Sequence, residues 1–361
     1  MSKNVKERVL MRGNHALAEA AIRAGCRFYA GYPITPQNEV PEYMSEHMPR
    51  VGGVFIQGES EIASISMVLG AAVTGARAMT SSSSPGISLK QEGISFLAGQ
   101  ELPALVVNMC RGGPGLGNIA GSQCDYFQST RGGGHGDYRT PVLAPASVQE
   151  LADLTVLAFD IADKYRTPVL ILSDGMLGQT MEPVVLPEPV DPARLPAKDW
   201  ALTGAKGRPG RRSRSLILDT KEMEEHNWKL ARKYKQIEEN EVRWEETGLA
   251  GAKMAVVAFG TAARIAKGAI KRVRKDGLKV GLFRPITLWP YPAQALRSLL
   301  DQGIREFLVF ELNAGQMVED VKLSLEGKGA VSVYARPGGV IPTPLDLAKV
   351  ITARYYQRLQ S

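Results

Sequence analysis

The sequence lacks any unbroken apolar run of the roughly 18 residues that a membrane-spanning helix requires. Its opening stretch, Met1-Ser2-Lys3-Asn4-Val5-Lys6-Glu7-Arg8, also lacks the apolar core of a secretory signal. A cytoplasmic protein with no membrane partner is expected. Cysteine is scarce: Cys26, Cys110 and Cys124 are odd in number, far apart in sequence and without a C-x-x-C pair. That excludes a chain-borne iron–sulfur cluster or cysteine-type zinc site and predicts reduced, idle thiols. None of the four histidines has the spacing of a helical metal pair. Charge of one sign is limited as well. The net charge is +7 over 361 residues, and a cluster of basic residues, Lys206, Arg208, Arg211, Arg212 and Arg214, lies in a Gly/Pro-broken segment. This reads as a solvated or subunit-facing linker, the alternative being a phosphate-binding patch, and no nucleic-acid partner is expected.

What remains, 44% hydrophobic and 22% charged residues, is the composition of a globular protein too long for one core. Apolar residues Leu17, Ala20, Ala21 and Ala24 recur at i, i+3, i+4 and i+7, predicting a helix over 14–24. From there strand and helix alternate. Strands are expected at 28–30, 54–56, 77–80, 104–107, 142–143 and 169–172, with helices at 61–73 and 87–97 and one opened by a Ser147/Glu150 capping box. Residues 111–136 read as a glycine-rich loop. The alternation predicts an α/β fold with a parallel sheet covered on both faces. Five prolines between Pro183 and Pro196 break the pattern, and the charged run 221–246 reads as a surface or bridging helix. From Lys253 the alternation resumes in a smaller α/β layer. Three segments follow: 1–187, a linker 188–250, and 251–361.

Four loops of unusual composition each sit where a predicted strand ends: Tyr32-Pro33-Ile34-Thr35-Pro36, Gly58-Glu59-Ser60-Glu61, Thr80-Ser81-Ser82-Ser83-Ser84-Pro85-Gly86 and Arg111-Gly112-Gly113-Pro114-Gly115-Leu116-Gly117. Open parallel sheets place ligand groups at such strand ends. Gly112-x-x-Gly115-x-Gly117 lacks the G-x-G-x-x-G order of a dinucleotide loop. Together with Gly133-Gly134-His135-Gly136-Asp137-Tyr138, these loops resemble the α subunit of 2-oxoacid:ferredoxin oxidoreductases. Gly260-Thr261 and Glu311-Leu312-Asn313-Ala314-Gly315-Gln316 are similar to that family's second, transketolase C-terminal-like domain. The serine run 81–84, the loop 112–118 and Asp125-Tyr126-Phe127-Gln128 resemble the branched-chain (2-oxoisovalerate) type.

The resemblance implies a thiamine diphosphate pyrimidine-binding domain over 1–187. That chemistry needs one carboxyl in an apolar site, placed to share a proton with the pyrimidine ring. Glu61, between Ser60 and an apolar helix, fits this role; by position alone it reads equally as a first-turn acid complementing the helix dipole, and Glu59 is the alternative carboxyl. Pro33, Ile34, Ser84 and Pro85 are the further cofactor-binding candidates. Arg111, whose planar fork suits a carboxylate, and Thr35, a hydroxyl donor, match family positions that contact substrate. Read as bare sequence, they are a loop arginine and a turn threonine. His135 is a candidate acid–base group near the substrate carbonyl, or a loop histidine held by a backbone partner.

Thiamine enzymes hold the diphosphate through Mg²⁺ with Gly-Asp-Gly followed by Asn, and Asp174-Gly175 has no such sequel. The resemblance therefore implies a shared site: a β subunit supplies the diphosphate grip, Mg²⁺ and a [4Fe-4S] cluster, alongside a γ subunit and a ferredoxin-like δ subunit. The chain alone is expected to be inert. The implied reaction is oxidative decarboxylation of a branched-chain 2-oxoacid to an acyl group taken by coenzyme A, with electrons passed to ferredoxin. The alternatives are a member specific for 2-oxoglutarate or another 2-oxoacid, and a non-oxidative decarboxylase or transketolase-type subunit.

Overall fold

Strands that are apolar along their whole length, such as Ala104–Cys110 and Pro168–Asp174, must be covered on both faces, and this requirement sets the architecture. The computed structural model describes residues 7–359. Its larger sheet has seven strands in the spatial order Val54–Gln57, Phe28–Gly31, Ala78–Ser82, Ala104–Cys110, Pro168–Asp174, Val142–Leu143 and Thr287–Trp289. The first six are parallel, and Thr287–Trp289 closes the edge antiparallel to Val142–Leu143. Helices Glu61–Val73 and Ser84–Gly99 pack together against this sheet, as do Gly13–Arg23 and Val148–Tyr165. The strand order reverses at Phe28–Gly31. From it the chain runs out to the edge strand Val54–Gln57 and returns on the other side as Ala78–Ser82, so the turns after these strands flank a crevice.

The second sheet has the order Ala330–Ala335, Glu306–Glu311, Met254–Val257, Val280–Pro285 and Trp244–Thr247, parallel except for the last. Helices Gly260–Lys275 and Pro344–Leu359 pack over it, around a core that includes Val256, Ile270, Leu282, Phe310 and Ile351. A two-stranded antiparallel ribbon joins Val9–Arg12 to Met181–Val184.

The fold departs from the expected elements in the following ways. The charged helix spans Thr220–Asn240 and not 221–246, because Glu241 is buried and gathers Lys164, Tyr165 and Arg243, while Trp244–Thr247 turns back as a strand. The supposed loop 111–136 contains a helix, Tyr126–Arg131. The capping box is only half formed: Ser147 accepts from the Glu150 amide, but Glu150 accepts from the Ala146 amide. Finally, Thr287–Trp289 lies in the second half of the sequence but completes the first sheet.

One buried cation ties the two layers. Arg284, 1% exposed on Val280–Pro285, forks onto Glu150 of the helix Val148–Tyr165 at 2.6 and 3.0 Å, and reaches Glu245 at 2.7 Å. Burial opposes ionisation of Glu245, but its bonds to Lys267 and Arg284 outweigh burial and hold the carboxyl at about 2. A carboxyl depressed in this way stabilises the fold above its unfolded value of about 4.3. That contribution fades as pH falls through the folded value near 2.

Two outcomes are expected. Glu150→Ala, which leaves buried Arg284 with a single carboxylate, should destabilise by about 3 kcal/mol, read as a lower urea midpoint at unchanged slope. Glu245→Gln should flatten the dependence of the urea midpoint on pH between roughly 4.5 and 2, whereas an unchanged slope would show that this carboxyl is not held down in the folded state.

Candidate active site

At the switch point, Ser60 caps the helix Glu61–Val73 by accepting from the Ala63 amide at 3.1 Å. The cap places Glu61 in the first turn, 6% exposed. Its carboxyl faces the start of the helix Ser84–Gly99. A Cβ built on Gly86 would lie 2.5 Å from Glu61 Oε1 and would collide with Ser82 Oγ. Only a glycine keeps this space open. Ser82 Oγ, Ser83 Oγ and Thr80 Oγ1 are all buried without a hydrogen-bond partner. Buried hydroxyls rarely stay unsatisfied, so the Glu61 carboxyl with the orphaned Ser82 hydroxyl beside it fits a polar ring.

Lys90 lies on the same helix with no exposure, and its ammonium donates to the Glu61 carbonyl at 3.4 Å. Burial pulls Lys90 down to about 8, against the opposing pull of the Glu61 charge. Lys90 is not among the site residues expected from the strand-end loops. Its signal is a lysine on an apolar stripe, Ile87, Lys90, Ile94 and Leu97, where a helix facing a core carries no charge.

Arg111 extends the strand Ala104–Cys110 and is 6% exposed. Its Nη1 donates to the Thr35 carbonyl at 3.0 Å and its Nη2 to the Leu116 carbonyl at 2.9 Å, while Nε is buried without a partner. The guanidinium thus clasps the Pro33–Pro36 turn to the glycine loop. Thr35 and Pro33 are exposed and Ile34 is half-buried. Ser84 Oγ accepts from the Arg111 amide at 3.0 Å and lies 2.6 Å from Asp125 Oδ2, which also accepts from Asn108 Nδ2 at 2.8 Å. Ser84 therefore knits the loops together, beside half-buried Pro85.

Ser84, Pro85, Gly113, Cys124 and Asp125 form one wall of a cavity of about 440 Å³ whose other wall is Asn313, Gln316 and Pro337 of the second layer. A hydrogen-bonded seam makes this join. Gln123 Nε2 donates to the Phe259 carbonyl at 2.8 Å and Gln123 Oε1 accepts from the Leu312 amide at 3.0 Å. Asn313 Nδ2 donates to the Gln123 carbonyl, and Gln316 Nε2 to the Cys124 carbonyl. Glu311, wholly buried, accepts from the amides of Gln316, Met317 and Val318, and burial pushes its carboxyl up. Asp174 caps the short helix Gly175–Gln179, and burial pushes it up too.

Glu61, Thr35, Arg111, Ser84 and Pro85 thus gather at the carboxyl end of the first sheet. His135 does not join them. It is exposed and lines a separate cavity of about 330 Å³ with Ser95, Gly99 and His226, at the far end of the helix Ser84–Gly99. The three cysteines are free thiols as expected, and Cys110 and Cys124, distant in sequence, lie side by side.

Residues 19–247 match the family described as pyruvate flavodoxin/ferredoxin oxidoreductase, thiamine diphosphate-binding, and residues 252–347 match pyruvate:ferredoxin oxidoreductase core domain II. The chain is 49% identical to the ketoisovalerate oxidoreductase subunit VorB of Methanothermobacter marburgensis, over 95% of this chain and 96% of that one. It is 36% identical to the 2-oxoglutarate synthase subunit KorA of Methanocaldococcus jannaschii, over 94% and 98%. Among solved structures, it is similar to 2-oxoglutarate:ferredoxin oxidoreductase from Magnetococcus marinus with 2-oxoglutarate, coenzyme A and succinyl-CoA bound (TM-score 0.84, 28% identity), covering 96% of this chain and 65% of that one. A split-gene transketolase shares the fold at TM-score 0.58 and 12% identity, over 95% of this chain and 97% of that one. The chain belongs to the pyruvate flavodoxin/ferredoxin oxidoreductase family, as an α-type subunit of the 2-oxoacid:ferredoxin oxidoreductases.

Proposed function

We propose that the chain is the α subunit of a coenzyme A-dependent oxidoreductase that decarboxylates a branched-chain 2-oxoacid and passes electrons to ferredoxin. The observation that carries the reading is the Glu61 carboxyl facing the space that Gly86 leaves, beside the orphaned Ser82 hydroxyl, in a chain half identical to ketoisovalerate oxidoreductase subunits. The 2-oxoglutarate alternative has the weaker support of 34–40% identity.

Thiamine diphosphate, when bound, supplies the carbon nucleophile from which a 2-oxoacid loses carbon dioxide. The chain's own part is to hold and move a proton. Glu61 shares one with the pyrimidine nitrogen from a dry, fixed position, and Lys90 sets the local field. Ser82, Ser84, Pro85, Pro33 and Ile34 shape the ring's seat. Arg111 fixes the Thr35 turn and supplies the positive charge that draws the substrate carboxylate toward the exposed Thr35 hydroxyl. Coenzyme A, present in the similar solved structure, enters as co-substrate.

The described residues contain one cluster of three groups able to ligate a metal, Cys110, Cys124 and Asp125, and this is not the all-oxygen set that Mg²⁺ takes. A β subunit is proposed to complete the site, holding the diphosphate, Mg²⁺ and an iron–sulfur cluster, within a complex that includes γ and ferredoxin-like δ subunits. We place the catalytic segment at 1–187, the linker at 188–250 and the second unit at 251–361. No helix among the described residues is long and apolar enough to cross a membrane, and a cytoplasmic location is proposed.

The purified native complex should turn over ketoisovalerate with a higher kcat/KM than 2-oxoglutarate, measured as coenzyme A-dependent ferredoxin reduction; the reverse preference would overturn the substrate assignment. Glu61→Gln should lower kcat by about 10²–10⁴-fold with the complex intact, whereas full activity would reduce the chain to a scaffold. Gly86→Ala, which drives a methyl into the Glu61 carboxyl, should cost on the order of a hundredfold in turnover through misplacement alone.

A further inference from the structure

Cys110 and Cys124 are 14 positions apart in sequence, yet their sulfurs lie 3.8 Å apart. Two features bring them together: the strand Ala104–Cys110 ends there, and the chain returns through the antiparallel bridge Arg111–Gly121. Their surroundings differ. Cys110 is wholly buried, and burial pushes its thiol well up. Cys124 is half-buried and lines the 440 Å³ cavity. The hydrogen bond from Cys110 holds the Cys124 thiol down, against burial. The pair is thus asymmetric, with one sulfur reachable from the cavity and the other enclosed.

Both thiols converge on the carbonyl of Arg111. Cys124 donates to it at 3.1 Å, while Cys110 Sγ and Ser84 Oγ lie 3.8 and 3.3 Å from it. The Cys124 backbone is pinned in turn to the second layer by Gln316 at 2.7 Å. Any change at the sulfurs therefore acts on the residue that clasps the Thr35 turn and on the seam between the two sheets.

We propose that Cys110 and Cys124 form a dithiol modification site, closed to a disulfide by an external low-molecular-mass disulfide that enters the cavity and reacts first at Cys124. The Cys124 thiolate attacks one sulfur of the external disulfide, forming a mixed disulfide and releasing one thiolate, which takes up a proton. Cys110 then loses its proton and attacks the Cys124 sulfur, and the second small thiol leaves. Two protein thiols are oxidised, and one external disulfide is reduced to two thiols. A disulfide needs about 2.05 Å between the sulfurs, so from 3.8 Å the pair closes by less than about 2 Å. Closure removes the Cys124 S–H donor from the Arg111 carbonyl and draws Cys124 against its Gln316 anchor. A loss of activity is the consequence, and that half rests on the role of Arg111 proposed above; formation of the bond does not.

The test uses the native complex, kept anaerobic, with 2-hydroxyethyl disulfide as oxidant. Alkylation followed by peptide mass mapping should show a 110–124 cross-link and the loss of two alkylatable thiols from this chain, with Cys26 unchanged. Turnover should fall several-fold and return with dithiothreitol. Cys124→Ser should form no cross-link and keep its own untreated activity through the same exposure. An adduct that stays on Cys124 without closing, or no reaction at either cysteine, would overturn the site. A cross-link that leaves turnover unchanged would overturn its effect on activity. The mapping needs neither a variant nor turnover, so failure of the functional reading cannot be mistaken for failure of the dithiol.

Discussion

The buried side-chain amide of Gln123 holds the ligand-facing end of the molecule together. It donates to the Phe259 carbonyl and accepts from the Leu312 amide, while its backbone carbonyl takes the side chain of Asn313. An amide buried without partners would cost about 1–3 kcal/mol per unsatisfied group; here every such group meets one from the other layer. The two sheets can therefore approach each other in only one register, the register that satisfies this amide. The cavity between Asp125 and Gln316 follows from it.

From that seam the fixed geometry runs inward. Residues 122–125 are held by the second layer, Asp125 holds Ser84 and Asn108, Ser84 holds the Arg111 amide, and Arg111 holds the Thr35 turn. Each link is a short polar contact in a dry setting, where hydrogen bonds are strong and slack is costly. Loops that are otherwise rich in glycine and proline are thereby set to a definite shape, as a site that must meet a flat ring and a small carboxylate requires. The proposed role of Glu61 depends on a different support, the Ser60 cap and the bare Cα of Gly86.

The sequence makes the first sheet legible because its strands are short apolar runs that end in Gly, Pro or Ser, so strand ends and candidate ligand loops coincide. Thr35, Glu61, Ser84 and Arg111 are found by this coincidence, and they do gather at one end of the sheet. Features set by chain return escape it. The contact of Cys110 with Cys124 depends on a single antiparallel bridge that no local pattern announces. The end of the charged helix at Asn240 depends on Glu241 finding Lys164, Tyr165 and Arg243, whereas its neighbours in sequence are equally acidic and stay in solvent. Lys90 is visible as a charge on an apolar stripe, but what it faces is set by the packing of two helices. His135 follows the glycine loop in sequence, yet the helix Tyr126–Arg131 carries it to another face.

The edge strand Thr287–Trp289 ties the fates of the two halves together. Val142–Leu143 is fully buried only because a piece of chain from beyond the linker lies alongside it. A fragment that stopped short of residue 287 would bare that flank, a ready template for sticking to its own copies. Any rearrangement that shuffled the front half alone into a new protein would inherit this defect, so the two halves are expected to travel as one cassette unless a replacement ribbon seals the sheet.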